Sequence, residues 1–330
     1  MNFKNKRILV TGGAGYIGSH VCLALKDTHA DVAIIDDLST GFEPNICYGT
    51  LHKIDLNNWL ETTRFIAEFK PDAVVHFAGS IVVPESVEDP LKYYQNNTAN
   101  SLNLIRSCVQ HNVPNFLFSS TAAVYGIPET GICSETSSTN PINPYGRSKL
   151  MTEWMLADTA AATNLNYVAL RYFNVAGAHQ SGQCGQRMKN ATHLIKIIAQ
   201  VLAGTRDKMS IFGTDYPTPD GTCIRDYIHV CDLANAHILA LNYLFEGGKS
   251  DIFNCGYSDG FSVKAVIDVS KELFGDFTVI DEPRRAGDPP QLIAASDKIK
   301  KTLGWTPDYQ DLHGIIKSAV EFEKKISLLV

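Results

Sequence analysis

Val10-Thr11-Gly12-Gly13-Ala14-Gly15-Tyr16-Ile17-Gly18 is the stretch that decides the fold of this 330-residue chain. It follows a short apolar run from Arg7 to Val10 and opens an apolar-periodic run from Tyr16 to Leu25, so it reads as strand, turn and helix. Glycines at 12, 15 and 18 let the turn tighten, let backbone N–H groups approach a pyrophosphate, and let the helix pack closely on the strand. The helix N-terminus adds a partial positive charge facing that anion. Asp36, with Asp37 beside it, ends the next apolar run, Val32-Ala33-Ile34-Ile35. A carboxylate at that distance accepts bonds from an adenosine ribose diol and repels a 2′-phosphate, favouring NAD over NADP. Each feature alone is an ordinary turn residue; context and spacing together give the reading.

Working outward, the first half keeps alternating strand and helix. Ala73-Val74-Val75-His76-Phe77 and Asn115-Phe116-Leu117-Phe118-Ser119-Ser120 read as strands, as does Tyr167-Val168-Ala169-Leu170-Arg171. Helical stretches fall at about 91–109 and around Tyr145. Apolar strands separated by helices predict an α/β fold with a parallel sheet and right-handed crossovers. After about Asn174 the rhythm breaks, Gly, Pro, Asp and Thr become frequent, and helices are expected at about 193–203, 230–245 and 263–273. Asp55, after a short apolar stretch, is placed to meet an adenine, and Phe77-Ala78-Gly79 ends a strand with residues small enough for a cofactor to approach the backbone.

Tyr145-Gly146-Arg147-Ser148-Lys149 pairs a phenol with an ammonium one helical turn later, on the same face. A phenol titrates near ~10, and bringing it to about 7 takes roughly 4 kcal/mol of preferential phenolate stabilisation, for which a neighbouring cation is the usual source. Taken alone the pair reads first as two solvated helix residues. Ser119-Ser120-Thr121 lies just past a strand, and ligands bind beyond the carboxyl ends of strands in an open parallel sheet, where a hydroxyl can contact a substrate oxygen.

Glycine turn, acid, strand-end hydroxyl and Tyr-x-x-x-Lys, in that order, resemble the extended short-chain dehydrogenase/reductase superfamily. Longer motifs narrow the resemblance, nearly end to end, to its UDP-glucose 4-epimerase family. They are Val10 to His20, Tyr93-Tyr94-Gln95-Asn96-Asn97, Ser119 to Gly126, Leu170-Arg171-Tyr172-Phe173-Asn174, Ile211 to Tyr216, Asp220 to Val230, Arg284-Arg285-Ala286-Gly287-Asp288 and Leu303-Gly304-Trp305. The resemblance implies a Rossmann-type doubly wound sheet in an NAD-binding domain at 1–176 and a smaller α/β UDP-sugar-binding domain at 177–330, with segments that can cross back. It implies reversible C4 epimerisation of UDP-glucose and UDP-galactose through a 4-keto intermediate with tightly bound NAD, in a cytoplasmic homodimer formed by the Tyr145 helix and the one near 91–109.

The resemblance also implies roles. Tyr145 is the acid/base, Lys149 tunes it and holds the nicotinamide ribose, and Thr121 contacts the sugar. Gly12, Gly15, Tyr16, Ile17, Gly18, Asp36, Asp37, Asp55, Leu56, Phe77, Ala78, Gly79, Asn96, Ser119 and Tyr172 join Tyr145 and Lys149 at cofactor positions. Phe173, Asn174, His193, Leu194, Ser210, Phe212, Arg225, Arg285, Asp288 and Leu292 join Thr121 and Tyr145 at nucleotide-sugar positions. Arginine's planar fork suits a diphosphate, although each arginine alone reads equally as a surface ion pair. His193 stands where some members carry asparagine, and Ile81 where a lysine can occur near the nicotinamide. Leu292 stands where either tyrosine or a small residue controls room for an N-acetyl group, and leucine is intermediate.

The bulk composition points the same way. Net charge is −6 without a basic run, which disfavours nucleic acid and anionic membrane as partners. No signal peptide or membrane-spanning segment is expected, and eight scattered cysteines read as free thiols rather than disulfides or a metal site. The alternatives are an epimerase of UDP-N-acetylhexosamines or another nucleotide-sugar, a nucleotide-sugar dehydratase or dehydrogenase of the same fold, and a cofactor-binding regulator. The dehydratase generally needs an acid pair after the strand-end threonine, where this chain has Ala122 and Ala123. The intact Tyr145–Lys149 pair argues against a regulator.

Overall fold

The computed structural model describes residues 1–188, 191–285 and 287–328. Seven parallel strands form the central sheet, in the spatial order Asp251–Cys255, Asn166–Tyr172, Asn115–Thr121, Ala73–His76, Arg7–Thr11, Asp31–Ile35, Thr50–His52. Strand order reverses between Arg7–Thr11 and Ala73–His76, the switch point at which a doubly wound sheet opens a crevice above its carboxyl edge. The α/β reading holds.

Alternate residues of each strand feed two cores, because successive side chains point to opposite faces. Ile8, Val10, Val32, Ile34, Leu117 and Val168 pack with Val21 and Leu25 of the helix Tyr16–Lys26 and with Leu233 and Leu241 of the helix Val230–Phe245. Leu9, Ala33, Val74, Phe116 and Ala169 pack on the other face with Ile66, Leu104 and Leu156, from the helices Trp59–Phe69, Asn100–Gln110 and Pro144–Ala162. Burying each such aliphatic or aromatic side chain contributes about 1.5–3 kcal/mol, so the two faces hold the sheet edge rigid.

The second half of the chain contributes to the first sheet: Asp251–Cys255 pairs in register with Val168–Tyr172. It also builds smaller sheets, in which Ile224–Arg225 lies between Phe261–Ser262 and Gln291–Ala294, and Met209–Phe212 pairs with Val279–Glu282. Asn174–Ala176 pairs with Tyr227–His229, tying the end of the first half to the second. The expected helix at about 91–109 is three pieces: Pro90–Tyr93, a π-helix at Tyr94–Ala99, and Asn100–Gln110. The C-terminal helix Leu312–Ser327 has a mixed charged pattern and was not anticipated; Asp311 caps it by accepting from His313 N and Gly314 N. Among the described residues no helix is long and apolar enough to cross a membrane. All eight cysteines are free, and no group of three or more His, Cys, Asp or Glu among the described residues could hold a metal ion.

His237, fully buried on the helix Val230–Phe245, shows how the interior is tuned. Its Nδ1 lies 2.8 Å from the Leu233 carbonyl, and its Nε2 has no partner among the described residues. Burial holds its pKa down at about 4. The unfolded chain therefore takes up this proton below about 6.5 while the folded chain does not until about 4, so stability falls as pH drops through that window. Replacing His237→Phe removes this slope. Urea unfolding at pH 7 and pH 4.5 should show the variant losing about 2–3 kcal/mol less than wild type on acidification. Equal losses would contradict the buried, neutral imidazole.

Candidate active site

The glycine turn lies at the carboxyl edge of the sheet, where Arg7–Thr11 passes into the helix Tyr16–Lys26. Gly12 has φ +72°, a backbone conformation that glycine adopts freely, and a Cβ there would come within 2.6 Å of the Ala78 nitrogen. At Gly18 a Cβ would lie 2.3 Å from the Gly12 carbonyl oxygen, so the helix start can only pack this closely without a side chain. No side chain caps the helix N-terminus, which leaves its first-turn N–H groups to an outside acceptor. This cradle, with an acid at the end of the second strand, fits a dinucleotide.

Asp36 is buried and accepts from Ala14 N and Leu38 N, both at 2.9 Å. It thus shapes the turn as well as closing the strand, and burial raises its pKa. Asp37 and Asp55 are exposed and cap their own turns through Ser39 and Asn57, while Leu56 is buried behind Asp55. The Tyr16 hydroxyl donates to the Gly177 carbonyl at 2.6 Å. Ile17 packs against the core. Phe77 N and Ala78 N both donate to the Thr11 carbonyl, which draws Phe77-Ala78-Gly79 alongside the glycine turn.

The helix Pro144–Ala162 starts where it does because Pro144 suits the first turn and the Asn143 side chain accepts from Gly146 N at 2.8 Å. It carries Tyr145 and Lys149 inward, both buried. Thr121, 8% exposed at the end of its strand, lies close enough to the Tyr145 phenol to favour its ionised form. Lys149 Nζ donates to the Ser119 carbonyl at 3.0 Å and sits 5.0 Å from the Phe118 ring centroid. Ser119 Oγ is in turn hydrogen-bonded with the Tyr172 hydroxyl. Burial raises the Tyr145 pKa, Thr121 opposing it, and burial lowers Lys149 to about 8. The downward shift expected of the phenol is therefore not what the surrounding protein groups produce: desolvation outweighs the effect of Thr121.

Two buried residues of the Tyr93-to-Asn97 motif, Tyr93 and Asn97, carry no role in the sequence reading. Asn96, the expected contact, donates to Ser80 Oγ at 3.0 Å, while Asn97 is the more buried neighbour. Asn97 Oδ1 accepts from Ser80 N at 2.8 Å, and its amide donates to Ser148 Oγ and the Ser80 carbonyl, both at 3.0 Å. The π-turn Tyr94–Ala99 shifts which side chains point inward, and nothing in the local pattern announces it. Tyr93 is fully buried with its ring edge-on to Tyr145, centroids 6.4 Å apart, and its hydroxyl donates to the Val82 carbonyl at 2.6 Å.

The remaining predicted residues fall in two groups. Asn174, His193 and Leu194 line one cavity with Tyr227 and Lys196. Arg225 Nη2 lies 3.8 Å from Asp288 Oδ1, and the Arg285 guanidinium stacks on Phe212 at 3.6 Å from the ring centroid. Ser210 is half-buried on the same strand as Phe212. Leu292 is the register partner of Arg225 and packs into a cluster holding Phe173, Ala122 and Leu150, which brings it to the Tyr145 helix. Ile81 is 39% exposed beside this centre.

Residues 8–256 match the model of the NAD dependent epimerase/dehydratase family. The chain is 53% identical to UDP-glucose 4-epimerase of Azospirillum brasilense over 97% of this chain and 92% of that protein. It superposes with a TM-score of 0.93 on the UDP-glucose 4-epimerase of Brucella ovis in complex with NAD, at 42% identity over 97% of this chain and 98% of that one. The UDP-Glc/GlcNAc 4-epimerase of Campylobacter jejuni is 49% identical, with a TM-score of 0.86, over 97% of this chain and all of that one, 100%. Given that full-length likeness and the cradle, phenol and lysine described above, this chain belongs to the NAD dependent epimerase/dehydratase family.

Proposed function

We propose that this protein reversibly interconverts UDP-glucose and UDP-galactose by inverting C4, using tightly held NAD. The observation that carries the reading is the convergence of the buried Tyr145 and Lys149, one turn apart on the same helix, with the buried Thr121 at the carboxyl edge of the sheet. Bound NAD supplies a reversible hydride acceptor and a fixed positive charge at the nicotinamide. The cradle at Gly12, Gly15 and Gly18 would hold its pyrophosphate, Asp36 its adenosine ribose, and Lys149 and Tyr172 its nicotinamide end.

Tyr145 then acts twice. It takes the proton of the C4 hydroxyl as a phenolate and returns it after the sugar has presented its other face. Thr121 stabilises the phenolate. Lys149, lowered to about 8, remains mostly an ammonium at pH 7, one helical turn from Tyr145. Arg225, Arg285, Asn174 and Leu194 hold the UDP moiety, which lets the sugar turn without escaping. Leu292, half-buried against Phe173, bounds the sugar pocket on the C2 side and sets how much room an N-acetyl group has. Ala122 and Ala123 leave no acid pair for a dehydratase.

We further place the enzyme in the cytoplasm as a homodimer. Val87, Leu91, Leu102 and Trp154 are 64%, 76%, 41% and 56% exposed on helices that pack side by side, an apolar surface suited to a second copy.

Two measurements test these statements. Tyr145→Phe should retain bound NAD and a wild-type circular dichroism spectrum yet lose at least about 10²-fold in turnover of UDP-galactose assayed without added NAD; near-normal epimerisation would sink the base assignment. Trp154→Glu should sediment as a monomer where wild type sediments as a dimer, since it places a charge in the centre of the apolar face. An unchanged dimer would rule out this face.

A further inference from the structure

Between Ala176 and Leu194 the described chain has no helix or strand, yet it leads directly into the cavity shared by Asn174, His193 and Leu194. Its support comes from the other end of the molecule. Along the helix Leu312–Ser327, Ser318 Oγ accepts from Ala178 N at 3.2 Å and Lys325 Nζ donates to the Gly182 carbonyl at 2.9 Å. The Phe322 ring lies so close under Gly185 that a Cβ there would come within 2.5 Å, and it carries the Arg187 guanidinium 5.3 Å from its centroid.

The deepest of these contacts is ionic. Glu323 pairs with Lys196, each about 5% exposed, and Lys196 Nζ also donates to the Gln186 carbonyl at 2.5 Å. The Gln186 side-chain nitrogen lies 2.8 Å from His193 Nδ1. With the amide donating, the His193 ring carries its proton on Nε2, a donor suited to a ribose or phosphate oxygen. A buried ion pair is not needed to stabilise a helix contact, because an apolar pair of like volume does as well or better. What an apolar pair cannot do is donate to the Gln186 carbonyl.

We propose that Lys196 and Glu323 are positioning residues for the nucleotide-sugar pocket: the pair fixes Gln186, Gln186 orients His193, and His193 and Leu194 are thereby set against Asn174. This rests on the reading of the cavity as the UDP end of the site. Neither residue touches the reacting carbon, so the effect falls on binding and not on the chemical step.

The test uses the double variant Lys196→Met/Glu323→Leu and the separate variant Gln186→Leu, each purified as holoenzyme. Calorimetric titration with UDP and steady-state kinetics with UDP-galactose should show Kd and KM raised about tenfold, the loss of one charge-assisted or amide hydrogen bond. The kcat should stay within about twofold of wild type, with bound NAD and thermal midpoint unchanged. Wild-type Kd and KM in the folded variants would overturn the proposal, and if the double variant does not fold, Gln186→Leu decides. Wild-type protein that binds UDP but leaves UDP-galactose unchanged counts against epimerisation, while the UDP affinities of the variants still decide the positioning role.

Discussion

Glu153, buried at 2% exposure, is the constraint on which the geometry above the sheet depends. It lies two turns beyond Tyr145 on the same helix and accepts from Ser120 Oγ at 2.5 Å and from Arg171 Nε at 2.9 Å. Those two partners belong to the neighbouring strands that end in Thr121 and Tyr172. One carboxylate therefore fixes the height and rotation of the helix against both strand ends. Arg171 also donates to the Tyr125 hydroxyl at 3.0 Å, which donates onward to Asn254 at 2.6 Å in the strand Asp251–Cys255. Removing one member of such a buried pair leaves an unpaired charge and typically costs about 3–5 kcal/mol, so the network resists drift in the spacing of phenol, hydroxyl and lysine.

That rigidity matters because the site works against desolvation. Burial raises Tyr145 and lowers Lys149, and both shifts oppose the charged forms that proton transfer uses. The protein answers with Thr121 beside the phenol, the Ser119 carbonyl on the ammonium, and Asn97 bonded to Ser80 and Ser148. The substrate end is built differently, from irregular chain that borrows its order from the C-terminal helix and from paired side chains such as Arg225 with Asp288.

Legibility followed the range of the interactions. The glycine turn could be read because its geometry is local: Gly12 needs a positive φ and Gly18 a vacant Cβ position, each within a few residues. The strand–helix alternation could be read because apolar runs buried on both faces differ from amphipathic helices. The inward placing of Asn97 could not, since a π-turn changes which residue of a run points inward and leaves no mark on composition. The bond from the Tyr16 hydroxyl to the Gly177 carbonyl, 161 residues away, likewise has no local signal. The return of Asp251–Cys255 to the first sheet and the support of the 177–188 segment by Leu312–Ser327 are pairings between distant parts of the chain, for which a single sequence carries no register signal.

By itself, then, the sequence determined the class of fold, the dinucleotide cradle and the identities of phenol, lysine and strand-end hydroxyl, because those rest on local backbone demands and on the i, i+4 spacing of one helix. Tertiary structure alone decided the protonation balance at Tyr145 and Lys149, because desolvation depends on what covers a group and not on its neighbours in the chain. It also decided how His193 is presented, through Glu323, Lys196 and Gln186, because a buried ion pair between two helices exists only once both have been brought together.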